Sequence, residues 1–409
     1  MILNYKVKNF YSIGENGASV NFAVNGNAPK TDLYASAGDI AGRVSLIETV
    51  IGANASGKTQ LLKGLAFIQY MIVHSYRQDP MGSILFESHM GLSDAPSEVS
   101  VSFAINEHVY EYSLEFDGQK ILKEELKESS KTNERVTAKT ISSRKWNDKD
   151  KKYTYKDSVL GISSVNELRR NASMFASSMQ KDLPADLAKT ISDYWSDCVM
   201  VHNLWLGGNR EDSDDGDRLL QKKLRELLNK DNQALKDQVK EILQKYDIGF
   251  NDFLEQVVEL PNNERLSVYY ITHKFKGSDF LIKLQMESSG TKRLISTLAS
   301  IVRTLLVESD GVAIIDEIDA FLHPDIVEAL VDLFVYPETN PNHAQLLFST
   351  HNHRLLESFD KQQITLTEKN DEGKTESWRL DEVEGVKSTD NYYTKYITGA
   401  YGARPKIVT

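Results

Sequence analysis

Cysteine is nearly absent. Cys198 is the only one in 409 residues, which excludes an internal disulfide and leaves a small apolar group to which no catalytic role is given. No apolar stretch approaches the roughly 20 residues that a membrane-spanning helix needs. The start, MILNYKVKNF, lacks the basic-then-apolar order of a secretory leader. Together these absences predict a cytoplasmic protein without a membrane partner. Internal repeats and low-complexity tracts are missing as well. So is any excess of positive charge. A net charge of −11 argues against indiscriminate duplex binding, which depends on basic patches, but leaves room for a local basic groove. The densest basic stretch, Lys131 to Lys156, reads as a solvated hairpin or loop.

What is present is an ordinary soluble composition, 40% hydrophobic and 26% charged, on a chain long enough for one large domain or two intimately joined ones. The first part reads as strand-rich. Ile2 to Phe10 has the character of an edge or mixed strand, and Ser45 to Ile51 is a short β-prone run. Gly52 opens a glycine turn, and Gln60 to Val73 reads as a helix. Glu98 to Ile105 and Val109 to Phe116 alternate around a short turn, which predicts an antiparallel hairpin. Thr132 to Lys156, polar and poor in aliphatics, reads as an exposed excursion. From Ser164 to about Tyr246 the pattern is helical. The clearest helix is Asp217 to Tyr246, with leucines and valine at helical spacing, and the acidic loop Glu211 to Asp217 before it would supply an N-cap. That helix is too short for a long coiled-coil arm. The tail returns to α/β: strands at Val312 to Ile315 and Gln345 to Phe348, and a helix from Pro324 to Phe334 with proline in its first turn.

Four clusters carry chemistry. The strongest is Gly52-Ala53-Asn54-Ala55-Ser56-Gly57-Lys58-Thr59, a full match to G-x-x-x-x-G-K-[ST] between a β-prone and a helix-prone run. Its glycines let the backbone wrap so that N–H groups face phosphate oxygens, and the helix N-terminus adds partial positive charge. Lys58 would reach the β- and γ-phosphates, and the Thr59 hydroxyl would ligate Mg²⁺. Gln60 completes the expected phosphate-binding set with Asn54, Ala55 and Ser56. The second cluster is Asp316-Glu317, which ends the apolar run Val312 to Ile315. Buried carboxylates need partners. Asp316 suits the metal and Glu317 suits the attacking water. The competing reading is two acids at the start of the following helix. The third is Ser288-Ser289-Gly290, at a helix start, where unpaired N–H groups and hydroxyls could hold a γ-phosphate; by itself it reads as an ordinary N-cap. The fourth is Ser349-Thr350-His351 at a strand's carboxyl end, where open α/β sheets bind ligands.

The order of these clusters, together with Lys8-Asn-Phe-Tyr-Ser12 near the start and TGAYGARP at the end, resembles the ABC ATPases of the SMC and OLD type. The likeness is closest to the compact ATPases of bacterial anti-phage loci (the RloA, PARIS and Septu types). It covers both ends of the chain and leaves about Ser129 to Asn262 uncovered. It implies an ABC-type P-loop head, α/β, with a mixed central sheet, an antiparallel β subdomain and an α-helical insert, and no long coiled coil. The corresponding division is 1–130, 131–262 for a mainly helical insert, and 263–409.

On matching residues, the resemblance makes Lys58, Thr59 and Asp316 the ATP and Mg²⁺ ligands. It makes Ser289 and Gly290 the signature that meets ATP on an opposite subunit, Glu317 the catalytic carboxylate and His351 the γ-phosphate switch. Asp319 and His323 fall in the loop facing that subunit. The sites would therefore form only in a homodimer or higher homo-oligomer, acting as a switch on a nuclease or toxin effector. The sequence departs from the pattern at Tyr11, where Arg or Lys is common. No glutamine loop is placed, Gln69 and Gln78 being the candidates, and Asp381, Glu382 and Glu384 read as a solvated acidic group. The alternatives are an SMC-like ATPase that grips DNA itself and a module that keeps nucleotide without hydrolysing it.

Overall fold

In a computed structural model, the protein is described at residues 1–26, 28–132, 135–202, 204, 216–229, 233–246, 249–259, 265–307 and 310–405. A six-stranded sheet forms the middle, in the order Val199–His202, Val312–Ile315, Gln345–Ser349, Ile47–Gly52, Ile364–Lys369, Thr375–Arg379. The first five run parallel and the last is antiparallel. Strands buried on both faces must be apolar on both, which is why VAII is an unbroken apolar run. Alternation then divides each strand between two cores. Val312 and Ile314 join one buried cluster, and Ala313 and Ile315 the other.

The first core lies under a seven-stranded antiparallel sheet. Its inward side chains include Tyr5, Val7, Val101, Phe103 and Tyr112. The helix Lys58–Val73 is clamped between this sheet and the central one. Tyr5 Oη donates to Leu61 O at 3.0 Å, and at Gly64 any Cβ would lie 2.5 Å from Val7 Cγ1. Glycine is required there by close approach. Ile2–Lys8 is not an edge strand, since it pairs with Ala18–Asn21 on one side and Ser97–Ile105 on the other. The predicted hairpin is present as Ser97–Ile105 and His108–Phe116.

Of the readings given to Thr132 to Lys156, an exposed excursion and a solvated hairpin or loop, the hairpin is the one present. Ile121–Thr132, Arg135–Asn147 and Lys152–Asp157 extend the same sheet. A sheet with one wet face tolerates polar residues at every second position, so paucity of aliphatics did not mean loop. The inward positions are held by Ile141, Tyr153 and a buried ion pair, Arg144 Nε to Glu124 Oε2 at 2.7 Å. Tyr112 Oη and Met174 N also donate to Glu124 Oε1, at 2.6 and 2.9 Å. The segment read as a mainly helical insert, 131–262, thus begins with strands. It also ends with one, Phe250–Glu259, in a three-stranded sheet with Arg265–Phe275 and Ser278–Lys283.

The helix expected from Asp217 to Tyr246 is two, Gly216–Leu227 and Gln233–Tyr246. Its stripe still packs as one: Leu220, Leu224, Leu227, Leu235, Val239 and Leu243 all enter the second core. Periodicity survived the interruption, so the sequence concealed it. The loop at 211–215 lies outside the described residues. That second core also receives the helices Ser289–Leu306 and Pro324–Val335. The longest described helix among these has 18 residues, and no described helix is long and apolar enough to cross a membrane.

Candidate functional site

Parallel strands put like ends on one edge. The carboxyl ends of Ile47–Gly52, Gln345–Ser349 and Val312–Ile315 are neighbours, so the glycine loop, Ser349-Thr350-His351 and Asp316-Glu317 converge there, as open α/β sheets arrange their ligand sites. The loop needs its glycines. Gly57 has φ +107°, and a Cβ there would meet Thr375 Oγ1 at 2.2 Å; one on Gly52 would meet Thr367 O at 2.3 Å. Ala55 is also left-handed, at φ +61°. Ser56 spends its hydroxyl on Thr367 Oγ1 at 2.7 Å, so any contact it makes in the cleft is left to its backbone.

Lys58 starts the helix and folds back over the loop, its Nζ donating to Gly52 O at 3.0 Å and Ala53 O at 3.1 Å. Burial lowers its pKa, while Asp316, Glu317 and Asp319 pull the other way. Thr59 Oγ1 donates to Asp316 Oδ2 at 2.8 Å. The hydroxyl of Ser349 bridges the two acids, donating to Asp316 Oδ1 and accepting Glu317 N–H at 2.8 Å. Arg293, from the helix that Ser288 caps, donates to both acids' carbonyls, Asp316 O at 2.9 Å and Glu317 O at 2.6 Å. Glu317 sits at φ +48°, a conformation that side chains adopt at a cost and that clusters at functional sites. This turn leaves its carboxylate exposed, 3.9 Å from His351 Nε2. Asp319 accepts the His351 N–H at 3.1 Å.

A cleft of about 440 Å³ holds Asn54, Ala55, Ser56, Gly57, Lys58, Thr59, Gln60, Glu317 and His351 together, with Ser12 and Lys369. Gln60 Oε1 is buried there without a protein partner. Gly52 opens onto an adjoining cleft, and Asp316 is reached through Thr59. The structure does not bring Ser288, Ser289 or Gly290 to this cleft. They cap Ser289–Leu306, with Ser288 Oγ accepting Thr291 N–H at 3.1 Å, and Ser289 is exposed.

A phosphate chain and Mg²⁺ fit these residues. The loop is a cradle that a Cβ would fill, with an ammonium at its centre. Thr59 and Asp316 offer one hydroxyl and one carboxylate. Among the described residues no group of three His, Cys, Asp or Glu could hold a metal alone. That suits an ion that is otherwise bound by water and substrate phosphate.

Ser349 belongs to the strand-end cluster read from the sequence, although its bridging of the two acids was not foreseen; Arg293 and Lys369 were given no role from the sequence. Gln69 and Gln78 are structural: the first donates to Trp195 O at 2.9 Å, the second to Asn171 O. Asp381 is not solvated, since Arg379 Nε donates to it at 2.7 Å and its side chain is 9% exposed. Tyr11 stacks under Lys63, whose Nζ lies 4.6 Å from the ring centroid.

The glycine cradle on a parallel sheet, with a threonine and two strand-end acids, defines a P-loop ATPase of mixed α/β architecture. Residues 49–357 match the family described as "AAA domain, putative AbiEii toxin, Type IV TA system", and the chain belongs to that family. No curated protein matches it.

Proposed function

We propose that this is an ABC-type ATPase that hydrolyses ATP with Mg²⁺ and works as a two-subunit, nucleotide-dependent switch. The observation that carries this is the convergence of Lys58, Thr59, Asp316 and Glu317 on one sheet edge, with Ser289 and Gly290 outside their cleft. Bound ATP·Mg²⁺ supplies the cleavable phosphoryl bond and neutralises its developing charge. Lys58 binds phosphate, and Asp316 and Thr59 orient the metal. Glu317, turned out of the strand and exposed, accepts a proton from the attacking water. His351, 3.9 Å from that carboxylate, monitors the terminal phosphate.

The signature loop would complete a second subunit's site. Its surroundings suit an interface: Met286 and Phe321 are 76% and 78% exposed, and the Phe321 carbonyl lies 3.0 Å from where a Gly290 Cβ would be. Large apolar side chains grouped at a surface mark association. Dimer closure on ATP and opening after hydrolysis would gate a toxin or nuclease effector in trans, in a cytoplasmic anti-phage or toxin–antitoxin setting. The test mixes two dead variants, Lys58→Ala and Ser289→Arg. Return of hydrolysis in the mixture supports the composite site. Full activity of Ser289→Arg alone overturns it and leaves a generic P-loop ATPase.

One observation favours the second reading, an ATPase that grips DNA itself. The strand register puts Lys6, Lys123, Lys127, Lys131, Lys145, Lys152 and Lys156 on the outward face of the seven-stranded sheet, among serines that could also contact phosphate, although Glu98, Glu111, Glu115 and Glu125 share that face, and Glu111 and Glu125 pair with Lys123 and Lys127. ATP-dependent, salt-sensitive retention of a duplex would support that reading.

A further inference from the structure

The segment Thr398 to Pro405, TGAYGARP, has no part in the reading above, yet it is built into the site's rim. Gly399, Gly402 and Ala403 all take positive φ, +87°, +72° and +59°, so the chain turns sharply there. The turn is tied at both ends of Ala403. Tyr396 Oη donates to its carbonyl and its N–H donates to Glu368 Oε2, each at 2.9 Å. Gly402 presses on the last two central strands: a Cβ would lie 3.1 Å from Glu368 Oε2 and 3.3 Å from the Trp378 ring. Tyr396 and Ala403 are buried, while Arg404 is presented outward. Its guanidinium lies near the turn's own Gly399, where a Cβ would be 3.7 Å from Nη1.

Arg404 shares with the nucleotide loop a cleft of about 500 Å³. Gly52, Ala53 and Asn54 line it together with Arg404, His351, His353 and Lys369. This cleft and the first share Asn54, Ser56, His351 and Lys369, so they are two arms of one cavity. His353 packs its ring 4.8 Å from that of Tyr396. Burial lowers its pKa first, and the charges of His351, Lys58 and Arg404 lower it further, against Asp319. His353 and Arg404 line the same cleft. Among the described residues the one carboxylate in the wall, Glu368, is engaged by the Ala403 N–H.

Cations converging on a cleft bounded by backbone N–H groups constitute an anion site. Direction along the nucleotide follows from Glu317 and His351. If they attend the bond that breaks, the terminal phosphate lies beside His351, where the second arm begins. We infer that Arg404 is a further phosphate-binding residue, supplied by the same chain, which contacts the terminal phosphate of a bound nucleoside triphosphate and so distinguishes tri- from diphosphate. The inference rests on the ATP reading.

The experiment is calorimetric binding of a non-hydrolysable ATP analogue and of ADP, each with Mg²⁺, to wild type, Arg404→Ala and Arg404→Lys. Loss of one charge-assisted contact should weaken the triphosphate about tenfold in Arg404→Ala and leave ADP unchanged, with Arg404→Lys intermediate and thermal unfolding unaltered. Equal weakening of both nucleotides, or no change in either, overturns the inference while the ATP reading stands. If wild type binds neither nucleotide, both fall together.

Discussion

The glycine loop and the helix start at Ser288 are finished to different degrees within one chain. In the glycine-loop half almost every polar group is engaged: Lys58 with two carbonyls, Thr59 with Asp316, Asp316 with Ser349, His351 with Asp319. The signature half has its cap bond at Ser288 and an ion pair between Glu287 and His273, and Ser288 and Ser289 are exposed near Phe321 and Met286. The first half is preorganised for charge, and preorganisation is what makes electrostatic stabilisation effective. The second presents apolar surface that stays exposed among the described residues. On the two-subunit proposal, one chain would carry two non-adjacent parts of the site. The link between them is Arg293, which joins the signature helix to the carbonyls of Asp316 and Glu317. Movement of that helix on dimer closure would be felt at the acids.

Four substitutions would break or sharpen this comparison. Glu317→Gln should have the largest effect, lowering steady-state hydrolysis by ~10²–10⁴-fold while ATP binding persists. Unchanged turnover would remove Glu317 from the chemistry. Lys58→Ala should weaken ATP binding by roughly 10²-fold, from loss of charged hydrogen bonds to phosphate, as read by calorimetry. On the exposed half, Phe321→Ala should weaken ATP-dependent self-association by about tenfold, through loss of one buried aromatic anchor, with nucleotide binding by the monomer intact. Sedimentation with and without nucleotide reads it, and an unaltered dimer would place the interface elsewhere.

The smallest effect concerns the underside of the signature helix. There Lys223 donates to Ser300 Oγ at 2.8 Å and Ser296 O at 3.2 Å and meets His202. Burial pulls its pKa down to about 7, with Arg293 adding and Glu226 opposing. Between pH 7 and its ordinary 10.5 the unfolded chain holds a proton at Lys223 that the folded chain has released. This group therefore makes stability rise with pH across that window. Lys223→Met should flatten the rise, seen as a smaller gain in urea midpoint from pH 7 to 9 than in wild type. An equal gain would show that Lys223 is not desolvated.

Much of the site was legible because its parts are local. A strand, the five-residue turn 53–57 and a helix start make the cradle, and each leaves its own sequence pattern. The apolar run into Asp316 announced a buried strand with acids at its end. The β subdomain was misread past Thr132 because its outer face is open to water. There lysine and serine are as acceptable as valine, and the diagnostic residues, Ile141, Tyr153 and Arg144, are spaced too thinly to stand out. Arg144 even looked like part of a basic surface, whereas its charge is paired with Glu124 in the core. Asp381 misled for another reason: its partner Arg379 stands only two positions away, but that the two are folded together and largely buried is not visible in the local pattern.

By itself the sequence determined what short-range geometry can encode: the glycine cradle, the strand that ends in two acids, the helix that follows Ser288, and the leucine stripe that survives a break in its helix. Only the tertiary structure decided which of these meet. Thr59 reaches Asp316 across 257 residues, Ser349 joins the two acids, and Arg404 shares a cleft with a loop 350 positions earlier because Glu368 and Tyr396 fix its turn. The reason is physical. Side-chain periodicity fixes the face of an element that is buried, whereas the order and direction of strands in a sheet, which no periodicity records, fix what that face and its ends lie beside.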